Sequence, residues 1–199
     1  MKKVLICIVA AAMLFSCSGT DVLDGKAYLV WVKNPENGLK IQKEMNGISY
    51  EAQYKPYDFI VLNEEKNYNL PKSLVDSRKE ELSGMVYYNL RITTDNQTDV
   101  VAKDVLDKSM YIQRLNYLSY DFQSLIQLQT EKETVNCSLY HFVHQQGITP
   151  YVDMVLGFSV KEEPGSQTLI IDDQVFGNGT LKFYLDKKNI EEIPQLKTT

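Results

Sequence analysis

A chain of 199 residues with 21 basic and 26 acidic side chains, net charge −5, is long enough for one sizeable core and too acidic to hold nucleic acid through its phosphates. No basic run offers an anionic lipid surface an electrostatic patch. Three cysteines against 13 tyrosines place stability on apolar and aromatic packing, not on a disulfide framework.

Met1-Lys2-Lys3 is a short cationic start, and Val4 to Phe15 follows without a charge. That is a positive segment followed by an apolar segment of secretory-signal length, shorter than the roughly 20 residues a membrane-spanning helix needs. It ends in Leu14-Phe15-Ser16-Cys17, with an aliphatic residue three before the cysteine and a small residue directly before it. The segment resembles the lipobox of bacterial lipoprotein precursors, although Phe15 stands where a small residue is commoner. The resemblance covers about the first twenty residues. It implies a signal peptide over 1–16, cleavage after Ser16, and lipid attachment on Cys17. Ser18 after the cysteine resembles outer-membrane sorting. Only Asp21 and Asp24 lie close behind, fewer acids than the run that surface display resembles, so the periplasmic face is preferred over the cell surface. Loss of Lys2 and Lys3 makes the mature chain more negative by two charges. With Cys7 removed and Cys17 lipidated, Cys137 is left without an intrachain partner.

Ser18 to Gly25 is small, polar and acidic, so 17–25 reads as a lipidated tether and 26–199 as one globular domain. Lys26–Lys33 (KAYLVWVK) is rich in strand formers and stops at the turn cluster Asn34-Pro35-Glu36-Asn37-Gly38. Leu39–Met45 and Ile48–Tyr54 flank Asn46-Gly47, whose residues accept positive φ, and are expected to form a hairpin. Phe59–Leu62 reads as a short strand. Ser73 with Asp76 opens an expected helix that Gly84 stops. Met85–Thr93 alternates, with Val86, Tyr88, Leu90 and Ile92 on one face, as a half-buried strand does.

Val101–Arg114 carries an apolar stripe at helical spacing. Leu118–Leu128 keeps period two and is read as a strand. Val135–Val143, Tyr151–Val160, Thr168–Ile171 and Leu181–Leu185 are expected strands, broken at Gln146-Gly147, Glu163-Pro164-Gly165 and Asn178-Gly179. Asn189–Ile193 is a turn or short helix before a polar tail. The expected fold class is α+β and β-rich, an antiparallel sheet or sandwich with one or two helices.

Both histidines lie in Cys137-Ser138-Leu139-Tyr140-His141-Phe142-Val143-His144, so Cys137, His141 and His144 are the available metal-site residues. On a strand, Cys137 and His141 would share one face and His144 would take the other, which argues against a common ligand set. The same reading makes His141 a core residue and His144 a loop-edge residue. No Gly-x-Ser-x-Gly elbow and no phosphate-cradling glycine loop is present, and no cofactor is expected. Adjacent acid pairs such as Glu64-Glu65, Glu80-Glu81, Glu162-Glu163 and Asp172-Asp173 read mostly as solvated charges. Aromatic residues crowd the first third, and Trp31, Tyr54 and Tyr57 are the expected partner-binding residues.

The functional expectation is a membrane-anchored envelope lipoprotein, a non-enzymatic binding or accessory module for a protein or glycan partner. A membrane-tethered hydrolase with fold-assembled carboxylates and a structural envelope component are the alternatives.

Overall fold

The structure, a computed structural model, describes residues 21–145, 149–162 and 165–199. The signal peptide, Cys17 and the start of the tether lie outside the described residues, as do Gln146-Gly147 and Glu163-Pro164. Among the described residues no helix is long and apolar enough to cross a membrane.

The elements run β1 (Val22–Leu23), α1 (Gly25–Lys33), β2 (Lys40–Met45), β3 (Ile48–Tyr54), α2 (Tyr57–Glu65), α3 (Lys72–Leu82) and β4 (Met85–Thr94). They continue with α4 (Lys108–Asn116), β5 (Ile126–Thr130), β6 (Thr134–Asn136), β7 (Leu139–Val143), β8 (Tyr151–Ser159), β9 (Gln167–Asp173), β10 (Gly179–Leu185), α5 (Lys187–Glu191) and β11 (Gln195–Leu196). The fold is α+β. A five-stranded antiparallel sheet, in the order β2-β3-β4-β8-β7, and a four-stranded one, β10-β9-β5-β6, turn their inner faces to a single core. Alternate residues supply it: Tyr50 and Ala52 from β3, Tyr88, Leu90 and Ile92 from β4, Met154 and Leu156 from β8, Leu169 and Ile171 from β9, Phe183 from β10. A parallel pair, β1 with β11, ties the two ends of the domain together.

The β2–β3 hairpin turns at Asn46 (φ +50) and Gly47 (φ +73), as the dipeptide predicts. β4 buries Val86, Tyr88, Leu90 and Ile92 as its alternation requires. The helix stopped by Gly84 (φ +78) is α3, but it begins after Pro71, with no side-chain cap at Ser73.

Several expectations change. Five helices are present among the described residues, not one or two. Lys26–Lys33 is helical because Asp24 caps it, its Oδ1 accepting from the Ala27 N–H at 2.9 Å. The unbroken apolar run from Ala27 to Val32 reads equally as a buried strand, so the sequence alone does not single out the helix. Gly25 heads the helix where a Cβ would lie 2.5 Å from the Tyr68 carbonyl oxygen, so only glycine fits. The expected tether is therefore too long: Val22–Leu23 pairs with Gln195–Leu196, and Gly25 is already helical.

Phe59–Leu62 belongs to α2, ended by Lys66 at φ +51. Leu118 and Phe122 are both fully buried while Tyr120 is 77% exposed, a helical spacing. Tyr117–Leu125 is accordingly π- and 3-10-helical, and the strand starts only at Ile126. The expected Val101–Arg114 helix splits where Asp104 takes φ +55, and α4 starts anew with Asp107 accepting from the Met110 N–H at 2.9 Å. Val135–Val143 is two strands in different sheets. Cys137 donates its N–H to Ile126 in one sheet and Ser138 to Gly157 in the other, so this step carries the chain across the sandwich.

Candidate functional site

The helices α2 and α3 form the connection from β3 to β4, so they stand at one end of the sandwich, with α1 packed on α2. Between them and the C-terminal segment opens a cleft of about 640 Å³, within the range of small-ligand sites. Tyr28 from α1, Tyr54 from the end of β3, Tyr57 and Asp58 from α2, and Lys72, Asp76 and Lys79 from α3 line it. Ile193 to Leu196 close it from the other side, held by main-chain bonds from Gln195 N–H to the Asp21 carbonyl and from Lys197 N–H to Leu23.

The tyrosines are set by packing. Tyr54 meets Tyr88 edge-on at 5.6 Å between centroids, and Tyr57 meets Tyr87 at 6.3 Å while donating its hydroxyl to the Met85 carbonyl at 2.8 Å. Tyr28 is buried, and its hydroxyl has no hydrogen-bond partner among the described residues. Burial, then the neighbouring Asp58 charge, then Tyr54 push its pKa well above the ordinary phenol value. Asp58 accepts an ion pair from Lys79 at 3.1 Å, and Asp76 from Lys72 at 2.5 Å. A buried hydroxyl with no partner costs on the order of 1–3 kcal/mol.

A second cleft, about 740 Å³, lies over the outer face of the five-stranded sheet and is charged. Arg91 grips Asp153 with two bonds of 2.9 and 2.8 Å and lies 3.8 Å from the Tyr151 ring centroid; Asn89 donates to the same carboxylate at 3.0 Å. Lys40 pairs with Glu51 at 3.1 Å. Burial lowers the pKa of Lys55, with Asp153 and Glu64 drawing it back up. Its charges are largely committed to one another, so this cleft reads as an ion-pair network.

The structure brings Tyr54 and Tyr57 together and leaves Trp31 apart, on the far side of α1 in a shallow groove with Leu23 and Val30. Tyr28, Asp58 and Lys79 were missed as site residues, and so was the C-terminal segment, which reads as a polar tail. Tyr28 stood out only as one of several crowded aromatics, and nothing local marks Asp58 as its neighbour.

The roles expected of the histidines are reversed. His141 is exposed on the outer face of β7. The side chain of His144 is 6% exposed, its Nε2 lies 3.2 Å from Asp99 Oδ1, and its ring stacks 6.0 Å from Phe142. Asp99 also accepts from the Val101 N–H at 2.9 Å and the Tyr111 hydroxyl at 3.1 Å. Cys137 is buried, its thiol pushed up to about 11 by burial, and does not share the exposed face of Leu139 and His141. Among the described residues no three His, Cys, Asp or Glu side chains are grouped to hold a metal ion. His144→Ala is expected to destabilise the domain by about 1–3 kcal/mol, because it empties a packed site and removes a partner of Asp99. His141→Ala should stay within about 0.5 kcal/mol, and urea unfolding of the two variants side by side checks the order.

No family model matches the chain, and no curated protein does. Among solved structures it is similar to a DUF4426 family protein from Pseudomonas aeruginosa PAO1, with 6% identity, a TM-score of 0.36, and coverage of 74% of this chain and 91% of that one. A likeness at this level carries no argument about function.

Proposed function

We propose that this protein is a lipoprotein of the bacterial cell envelope, held to the outer membrane through lipid on Cys17, whose tyrosine-lined cleft binds a glycan without transforming it. The observation that supports this most is that the Tyr54 and Tyr57 rings line one cleft together with Tyr28, whose buried hydroxyl has no partner among the described residues. Aromatic rings offer sugar faces a large contact area at low entropy cost, and a polar group between them fixes orientation. The cleft's two carboxylates are engaged by Lys79 and Lys72, which is not the arrangement of two uncommitted carboxyls that glycoside hydrolysis uses.

The binding half is tested by titrating the protein with envelope oligosaccharides. Tyr57→Ala should weaken binding by about 10- to 30-fold, the effect of deleting one central aromatic contact, whereas Tyr57→Phe should keep most of the affinity. If no oligosaccharide binds at millimolar concentration, or Tyr57→Ala binds as well as the parent, the glycan reading is wrong. The anchoring half is tested by Cys17→Ala, which is expected to abolish incorporation of labelled palmitate; incorporation that persists removes the lipobox. Protease treatment of whole cells decides the face, with survival of the domain expected for the periplasmic side.

A further inference from the structure

The helix α1 is apolar on two sides. Tyr28 and Val32 are buried in the core, while Ala27, Val30 and Trp31 line a groove on the outer side, with Leu23 at its end; Trp31 and Leu23 are partly buried, each with an inner edge against the core. Val30 is 65% exposed. The groove is lined mainly by apolar side chains. Its position relative to the anchor identifies the occupant. Asp21 is pinned through its carbonyl to Gln195, and Asp21 is four residues beyond Cys17. Four residues of chain span at most about 14 Å when fully extended. The groove begins at Leu23, two residues on.

We infer that the groove formed by Leu23 of β1 with Val30 and Trp31 of α1 seats on the lipid bilayer that holds Cys17, an inference that rests on the lipobox reading. The acyl chains bring this face to the membrane surface, and burying it in the headgroup boundary removes its apolar area from water. Tryptophan suits that boundary, where its ring is buried and its N–H stays wet. The acidic Asp24 in the same groove is occupied in capping α1, and Lys26 beside it lies where lipid phosphates would be. The seating fixes the orientation of the domain, with the β1–β11 edge toward the lipid.

Trp31 is the chain's single tryptophan, so its emission reports this face alone. The lipidated full chain is reconstituted into phosphatidylethanolamine–phosphatidylglycerol vesicles, plain or brominated on the acyl chains near the headgroup. Bromine is expected to quench Trp31 at least twofold, and Val30→Asp to lose that quenching while still floating with the vesicles. Equal emission in plain and brominated vesicles from protein that floats overturns the seating and leaves the anchor intact. Shielding of Trp31 from acrylamide that appears only as protein concentration rises also overturns the seating, because a second copy then covers the groove. A chain that neither floats nor takes up labelled palmitate overturns the anchor reading, and the seating with it.

Discussion

Asp173→Ala is expected to destabilise the domain by about 3–5 kcal/mol, read as a drop in the urea midpoint at unchanged slope. Asp173 is 1% exposed. Its Oδ2 accepts the Tyr50 hydroxyl at 2.5 Å from the opposite sheet, and its Oδ1 accepts the N–H groups of Val175 and Phe176 at 3.1 Å each. Asn178 donates to the Tyr50 oxygen at 2.7 Å and accepts from Asn46 in the β2–β3 turn. One carboxylate therefore joins β3 of one sheet to the β9–β10 loop of the other, and alanine strands three donors at once. Asp173→Asn keeps an acceptor for the two backbone groups and should cost clearly less. An alanine variant within 1 kcal/mol of the parent would mean that the sheets are held by apolar packing alone.

The second large effect is alkaline unfolding. Tyr28, Tyr50 and Tyr88 are each 0% exposed, and each has a pKa raised first of all by burial. The Asp173 hydrogen bond adds to the rise for Tyr50, the Asp58 charge for Tyr28, and Tyr54 for Tyr88. In the unfolded chain these phenols lose their protons near pH 10, while in the folded one they keep them. The stability they contribute is therefore complete below pH 10 and is lost as pH rises above it. Three such groups give a limiting slope of about 4 kcal/mol per pH unit. Urea midpoints measured from pH 8 to 11 should be level at first and then fall steeply. Tyr88→Phe should remove about a third of the slope. Because the Tyr88 hydroxyl has no partner among the described residues, that substitution should cost little at neutral pH. A flat profile to pH 11 would mean that these phenols ionise in place.

Where the local signal was redundant, sequence and structure agree. Asn46-Gly47 specifies its hairpin because positive φ is open to few residues, and Met85–Thr94 specifies a strand because a period of two buries one face. The α+β class follows from such period-two runs beside stretches of helical spacing. The errors fall on segments whose periodicity was ambiguous: α1, with apolar residues on two sides, and 117–125, where Leu118 and Phe122 satisfy either period until the core selects one.

The cleft was legible only in part. Tyr54 and Tyr57 drew attention as neighbours in an aromatic stretch, but Tyr28, Lys79 and Gln195 reach them only after α1 docks on α2 and β11 pairs with β1. The histidines inverted for a related reason. Their strand alternation was legible, but which face of β7 meets the core depends on where the chain crosses between sheets at Cys137 and Ser138. The sequence by itself determined the fold class, the hairpin at Asn46-Gly47 and the lipobox resemblance, because each rests on residues near one another in the chain. The tertiary structure alone decided which tyrosine hydroxyls, those of Tyr28 and Tyr88, are left without a partner among the described residues and which carboxylate locks the sheets. Burial and partnership across 123 residues, as between Tyr50 and Asp173, are properties of packing and not of spacing.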